Sequence, residues 1–182
     1  IAIPATCLRI GIAAFKNCKS LENVSFASGS QLSKISGAYS CVSYSYVSWY
    51  HGAFSDCESL KSIVIPPKCR SIGATAFKNC KVLETVVFEP SSQLQIIEGG
   101  YTPKGKEYAY FGAFSDCVSL RSITIPETCQ TIEATAFKNC TALRDLVFLP
   151  GCCLTVLGGG YSSASDTTSD YYDSNSSSYR YS

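Results

Sequence analysis

The chain has 182 residues, of which 16% are charged, and its formal net charge is +1. A length of this order predicts one or two domains. The near-neutral charge argues against nucleic acid and anionic membrane as partners. No apolar run approaches the roughly 18 residues needed to span a bilayer, so no direct membrane insertion is expected in this fragment.

One phrase, Ala-Phe-x-x-Cys-x-x-Leu, occurs five times along the chain. Its phenylalanines are Phe15, Phe54, Phe77, Phe114 and Phe137. Each copy runs into a stretch of alternating apolar residues, such as residues 60–65 and 83–88, which predicts a short strand. The chain opens partway through a further strand of this kind, at Ile1 and Ile3. A fixed repeat predicts stacked units whose strands form a parallel, in-register sheet.

A turn and a second apolar pair follow each strand, as in Leu32 with Ile35, and Cys takes the first place in alternate units, as in Cys69 with Ile72. The Ala-rich segments 74–77 and 134–137 are expected to form one short helical turn each. Asn or Asp precedes the cysteine of every phrase, which suits a tight turn with a left-handed residue. These five residues are Asn17, Asp56, Asn79, Asp116 and Asn139.

Insertions interrupt every second unit. Successive phenylalanines are 39, 23, 37 and 23 residues apart, so the basic unit has 23 residues. The extra residues occupy 38–51 and 100–111, and a third insertion runs over 160–182 to the end of the chain. The sequence therefore predicts a single solenoid domain, residues 1–182, as a fragment of a longer array.

The run from Ile65 to Phe88 resembles the BspA-like, or Treponema pallidum-type, leucine-rich repeat. It contains the pattern Ile-Pro-x-x-Cys-x-x-Ile-Gly-x-x-Ala-Phe-x-x-Cys-x-x-Leu-x-x-Val-x-Phe. The resemblance covers residues 1 to about 160 and implies a right-handed leucine-rich-repeat solenoid. With the elements above, the fold class is α/β but dominated by β, with one parallel strand per repeat, short helical turns and Tyr-rich insertions. Because many members are surface proteins with adhesive roles, the resemblance implies a cell-surface or extracellular binding protein.

Eleven cysteines raise the question of disulfides and metals. Eight recur at fixed places in the units, and at one of these places Cys alternates with Leu, which is typical of a core site filled by a free thiol. With a single histidine and no Cys-x-x-Cys pair, no metal site is predicted, and no cofactor is expected. Cys41, Cys152 and Cys153 lie outside the pattern, and the sequence leaves open whether they are bridged.

Two surfaces are candidates for binding. All twelve tyrosines and the one tryptophan lie in the insertions and the tail, and Tyr with Ser and Gly is typical of binding loops. The alternative is that these tyrosines pack the insertions together, with residues 44–46 and 108–110 stacked as an extended ribbon. The second candidate is the concave strand face, whose alternative is a merely solvated sheet. The aromatic-edge candidates are Tyr44, Tyr46, Trp49, Tyr50, Tyr108 and Tyr110, and the concave-face candidates are Asn23, Ser62, Thr85, Ser122 and Asp145.

Catalysis is not expected, because the sequence has no nucleophile elbow, no phosphate loop and no cluster of carboxylates. The leading hypothesis is a non-enzymatic module that binds protein or glycan in surface adhesion. The alternative is a cytoplasmic structural scaffold, either self-assembling along the array or associated with a filament.

Overall fold

The computed structural model describes residues 1–41, 48–99 and 111–158. These residues form fourteen short strands and no helix, and therefore no helix that could cross a bilayer. In chain order the strands are Ala2–Ile3 (β1), Arg9–Ile10 (β2), Ser25–Phe26 (β3), Lys34–Ile35 (β4), Tyr39–Cys41 (β5), Ser48–Tyr50 (β6), Ser62–Ile65 (β7), Ser71–Ile72 (β8), Thr85–Phe88 (β9), Ile96–Ile97 (β10), Ser122–Ile125 (β11), Thr131–Ile132 (β12), Asp145–Phe148 (β13) and Val156–Leu157 (β14).

Two parallel sheets run along the stack of units. The predicted strands form the first sheet, in two sections with the orders β1-β3 and β7-β9-β11-β13. The second sheet has the order β2-β4-β8-β10-β12-β14 and consists of two-residue strands around the second apolar pair. Every unit thus contributes one strand to each sheet, and the parallel in-register stacking expected from the repeat is confirmed.

Alternation in the longer strands decides which side chains enter the core. In β7, Ile63 and Ile65 are buried while Ser62 and Val64 face outward. Side chains of a strand point alternately to opposite faces, so the in-register partners in β9 follow the same division. One face of this sheet is therefore dry and the other is open.

The third side of each unit is a chain of tight turns, and the expected helical turns are wrong for the described residues. Thr75 and Asn79 have φ values of 67° and 62°, which an α-helix cannot accommodate. The backbone N–H groups of Phe77 and Asn79 donate to Ala113 and Ser115 of the next unit instead of to their own segment. The turns are thus hydrogen-bonded between units, as the strands are, and the class of the solenoid is β rather than α/β.

The prediction of left-handed residues before the phrase cysteines is confirmed. All five have positive φ, from 58° to 63°: Asn17, Asp56, Asn79, Asp116 and Asn139. Asn and Asp tolerate this conformation better than other residues with a Cβ atom, because their short side chains can hydrogen-bond locally.

Aromatic rings and thiols form two parallel ladders in the core. The phenylalanine rings of successive phrases stack with centroids 5.1–5.5 Å apart, and their planes are nearly parallel. The thiol of Cys80 donates to the Phe54 carbonyl at 3.1 Å, and the same contact recurs in the other units. A weak S–H donor at this place satisfies a carbonyl that an aliphatic side chain would leave with one partner fewer. This contact gives a physical reason for Cys at the turn.

The ten cysteines with described side chains are free, as predicted for the repeating ones. Six of them are buried: Cys57, Cys69, Cys80, Cys117, Cys129 and Cys140. Cys152 is half-buried and Cys153 is exposed, and both are free thiols. The side chain of Cys41 lies outside the described residues.

Candidate functional site

The outward positions of the first sheet form one exposed surface, here called the strand face. Ser62, Thr85, Ser122 and Asp145 lie side by side in the strand register, and all are exposed. Asn23 is exposed as well, but it precedes β3 and lies outside the strand ladder. The structure therefore brings four of the five concave-face candidates into a single row.

A second row of the strand face is partly aliphatic. Val64 pairs with Val87, and Thr124 pairs with Val147. The three valines expose 44%, 45% and 46% of their surface. The Arg121–Glu84 pair flanks the first row at 3.9 Å between exposed side chains, and such a pair contributes little to stability. The strand face thus offers small polar and branched apolar groups on a regular sheet.

The aromatic edge is described only in part. Tyr44, Tyr46, Tyr108 and Tyr110 lie outside the described residues, as does any ribbon between segments 44–46 and 108–110. Trp49 is described in its backbone, which pairs with Ser40 in an antiparallel hairpin of β5 and β6. The described ends of the first insertion therefore pair with each other.

The insertions leave and rejoin the solenoid at places where backbones touch. A Cβ atom on Gly37 or Gly52, at the two ends of the first insertion, would lie 1.7 Å from a carbonyl oxygen of the next unit. The Ala53 N–H donates to the Ser36 carbonyl at 2.9 Å, and the His51 N–H to the Ala38 carbonyl at 2.8 Å. Gly99 and Gly112 make the same close approaches at the second insertion, at 1.8 and 1.9 Å. Only glycine fits these points without displacing the next unit.

Tyr50 is the last residue but one of the first insertion, and its side chain contacts the turns of the solenoid. The residues involved are here called the Tyr50 cluster (Lys16, Tyr50, Asp56, Lys78 and Asp116). The Tyr50 hydroxyl donates to Asp56 Oδ1 at 3.0 Å. The ammonium groups of Lys16 and Lys78 lie 4.6 and 4.7 Å from the centroid of its ring. Lys78 also pairs with Asp116 at 2.5 Å, and its side chain is only 12% exposed.

The electrostatics of the Tyr50 cluster follow from these contacts. Burial, the hydrogen bond to Asp56 and the negative charges of Asp56 and Asp116 raise the pKa of Tyr50 to about 12. Burial alone would raise the pKa of Asp116, but hydrogen bonds from Lys78 and Asn139 and the nearby positive charges outweigh it and lower that pKa. The tyrosine is held neutral and the aspartate ionised, so the cluster is a stable pairing at neutral pH rather than a proton-transfer site.

The sequence carries a signal for this cluster in the residues around the turns, which the pattern shared by all five phrases does not show. Units without an insertion read Phe-Lys-Asn-Cys, whereas units that follow an insertion read Phe-Ser-Asp-Cys. Asn79 donates to Asp56 at 2.7 Å and Asn139 donates to Asp116 at 2.8 Å, so the two wordings are complementary. Treating all five positions as equivalent turn residues concealed this alternation.

Within the described residues, no group of three or more His, Cys, Asp or Glu side chains could hold a metal ion.

The family follows from the repeat pattern that these elements share. A BspA type leucine rich repeat region matches residues 1–100 and 102–158 in six copies. The chain belongs to the BspA-type leucine-rich repeat family. No curated protein matches the chain.

Solved structures with similar folds include two bacterial proteins of low sequence identity. The pneumococcal vaccine antigen PcpA is 26% identical with a TM-score of 0.65, over 83% of this chain and 30% of that one. A leucine-rich repeat protein from Bacteroides ovatus ATCC 8483 is 25% identical with a TM-score of 0.50, over 88% of this chain and 39% of that one. The chain thus spans less than two fifths of the length of either protein. Neither the BspA-type match nor these structures indicates a catalytic function.

Proposed function

We propose that this BspA-type chain is a non-enzymatic module that binds protein or glycan at a cell surface, in adhesion or contact with a host. The strand face carries the proposal. Its three exposed valines, Val64, Val87 and Val147, lie along one row of a regular sheet, with Thr124 between the second and the third. A row of Ser, Thr and Asp side chains lies next to them. Half-exposed apolar groups rimmed by polar ones are typical of an interaction surface.

Rigidity strengthens this interpretation. The strands of the strand face are hydrogen-bonded between units, and the inward side chains of β7 and β11 are fully buried. A partner that docks here therefore orders few side chains and no backbone, which lowers the entropic cost of binding. PcpA, whose structure is similar, is named a pneumococcal vaccine antigen, and this similarity supports an extracellular location over a cytoplasmic one.

The aromatic edge is the second proposed surface, formed by Tyr44, Tyr46, Trp49, Tyr108 and Tyr110. Its support is compositional, because Tyr offers a large contact area at low conformational cost. Tyr50 belongs to the edge in sequence, but its ring lies beside two lysines and its hydroxyl is bonded to Asp56. We therefore assign Tyr50 a supporting role, beneath the residues that contact the partner.

A binding panel of collagen, laminin, fibronectin and mucin-type glycans tests the proposal. The strand-face variant replaces Val64, Val87 and Val147 with Ser. The control makes the same change, Val to Ser, at Val82 and Val118, which are exposed in turns. Losing about 1 kcal/mol of apolar contact per valine weakens binding on the order of 100-fold in the strand-face variant. The control binds like the parent. Equal binding by the parent and the strand-face variant would remove the strand face from the proposal.

The aromatic edge is tested on the same panel by a variant in which Tyr44, Tyr46, Trp49, Tyr108 and Tyr110 become Ser. Weaker binding with an unchanged circular dichroism spectrum supports the edge. Unchanged binding in the folded variant rejects it and leaves the strand face as the single proposed surface.

An intracellular scaffold is the second candidate function, and the free thiols favour it. All ten described cysteines are unpaired, which is typical of a reducing compartment. In this case we expect concentration-dependent association along the array in light scattering and no binding to the panel. A monomer at all concentrations that binds a matrix protein or glycan contradicts the scaffold.

A further inference from the structure

The Tyr50 cluster joins the end of the first insertion to three successive units. Lys16, Asp56 and Lys78 belong to three consecutive Phe-x-x-Cys turns, and each contacts Tyr50. Lys16 additionally donates from Nζ to the Tyr50 carbonyl at 2.6 Å, so it binds both the ring and the backbone of this residue. The contacts therefore act on the point where the insertion returns to the solenoid.

Lys78 links this point to the second insertion as well. Its ammonium group lies 5.4 Å from the ring centroid of Phe111, which ends the second insertion. The rings of Tyr50 and Phe111 lie 5.5 Å apart. One largely buried cation thus contacts the last described ring of each insertion, while Asp116 neutralises its charge.

We propose that Lys78, with Asp56 and Tyr50, fixes the ends of the first two insertions to the solenoid and to each other, and that Lys78 is a positioning residue for the aromatic edge. This inference rests on the proposed binding function, in which the insertions carry contact residues. A cation between two rings attracts both rings only while both remain within contact distance of it. Burial strengthens this attraction because water screens it less. Insertions held in this way lose less freedom on binding than free loops do.

Alternation in the sequence supports a dedicated role for this lysine. Lys stands before Asn in each of the three units without an insertion, at Lys16, Lys78 and Lys138. Ser stands at the same place in both units that follow an insertion, at Ser55 and Ser115, where both serines are fully buried. A lysine needed only for solubility would have no reason to avoid every second unit.

Residue-resolved amide hydrogen exchange tests the positioning directly, since the amides of His51 and Ala53 close the first insertion. In Lys78→Met, loss of the cation should raise exchange at these two amides about fivefold, the change that the loss of one partly buried cation–π contact gives. The amide of Gly73, which is bonded to Ile35 between the short strands, serves as the internal reference and keeps its rate. Tyr50→Phe, which lacks the hydroxyl that Asp56 accepts from, should show a smaller rise at the same amides.

Lys81→Met is the matched control, because Lys81 is exposed three residues further along the same turn. Lys78→Arg keeps the cation and should restore slow exchange. Unchanged exchange at His51 and Ala53 in Lys78→Met overturns the proposal, and so does a uniform rise that includes Gly73, since that is global destabilisation.

Binding to the panel of matrix proteins and glycans separates this inference from the proposed function. Faster exchange together with weaker binding in Lys78→Met supports the positioning role. Faster exchange with unchanged binding overturns that role, although the insertion ends are then still held by Lys78. If the parent itself binds nothing in the panel, the proposed function fails, and the positioning role for a binding edge fails with it.

Discussion

Raising the pH above about 9 should destabilise this protein strongly under reducing conditions, because its buried thiols ionise far more readily in the unfolded chain. Six described cysteines are buried in the core. Burial raises the pKa of Cys69 to about 11 and the pKa of Cys140 to about 12. The pKa values of the other four are raised for the same reason.

The magnitude follows from proton linkage. An unfolded thiol has a pKa of about 8.5, so below that pH the folded and unfolded chains bind the same protons and the stabilisation is complete. As the pH rises from there through the folded pKa values, only the unfolded chain loses protons. Each thiol then lowers the free energy of unfolding by about 1.4 kcal/mol per pH unit. Even if six thiols together reach only half of their combined slope, the free energy of unfolding falls by about 4 kcal/mol per pH unit. This is large compared with the 5–15 kcal/mol free energy of unfolding of a typical domain.

Urea denaturation with a phosphine reductant at pH 7.5, 8.5, 9.5 and 10 measures this slope. We expect the free energy of unfolding to be flat to about pH 8.5 and then to fall steeply. A variant with Cys80→Ala and Cys117→Ala starts less stable because two core side chains are shortened, but its slope above pH 9 should be smaller by about 3 kcal/mol per pH unit. A flat profile from pH 8 to 10, or an identical slope in the variant, would refute the reasoning.

Three further predictions concern single positions. In a thiol-labelling time course of the folded protein, Cys153 should react first because it is exposed, and the six buried thiols should react only after urea is added; fast labelling of more than five of the eleven thiols would contradict the assignment of these six to the core. Gly52→Ala should cost about 3 kcal/mol in urea denaturation, because the new Cβ would lie 1.7 Å from a backbone oxygen, whereas Gly11→Ala, with nothing within 4 Å, should stay within about 0.5 kcal/mol of the parent. Asp116→Asn should cost about 1 kcal/mol at pH 7 through the lost pair with Lys78. Because the pKa of Asp116 is lowered in the folded state, the parent loses this stabilisation as the pH falls below about 4, and a variant whose acid profile matches the parent's would exclude the pair as its source.

Much of the fold could be predicted because the same sequence pattern recurs in every repeat. The alternation at Ile63, Val64 and Ile65 recurs in β9 and β11, and each of these residues lies on the face that the period-two pattern predicts. Asn79 and its equivalents take the left-handed conformation that their side chains favour. Both predictions concern preferences of single residues or of neighbours in sequence, which the sequence displays directly.

The prediction of helical turns was wrong because it, too, was based on local preferences. Ala and Phe around position 76 are compatible with a helical turn. Local propensity gives no information on the backbone hydrogen bonds between units that compete with such a turn. The N–H groups of Phe77 and Asn79 donate to carbonyl groups of the next unit. In that unit the equivalent of Phe77 is Phe114, 37 residues further along the chain. Contacts between units outweigh the weak preference for a single helical turn, which is unstable alone.

The sequence by itself determined the number of units, the faces of the strands, the core place of the cysteines and the family, because a repeat must carry in each copy whatever stacking requires. Tertiary structure alone decided that two-residue strands form a second sheet and that one lysine meets the rings of two insertions. Lys78 and Tyr50 are 28 residues apart, and Lys78 and Phe111 are 33 apart. Their contact exists because stacking brings equivalent turns of successive units together, and an intervening insertion of any length leaves that distance unchanged.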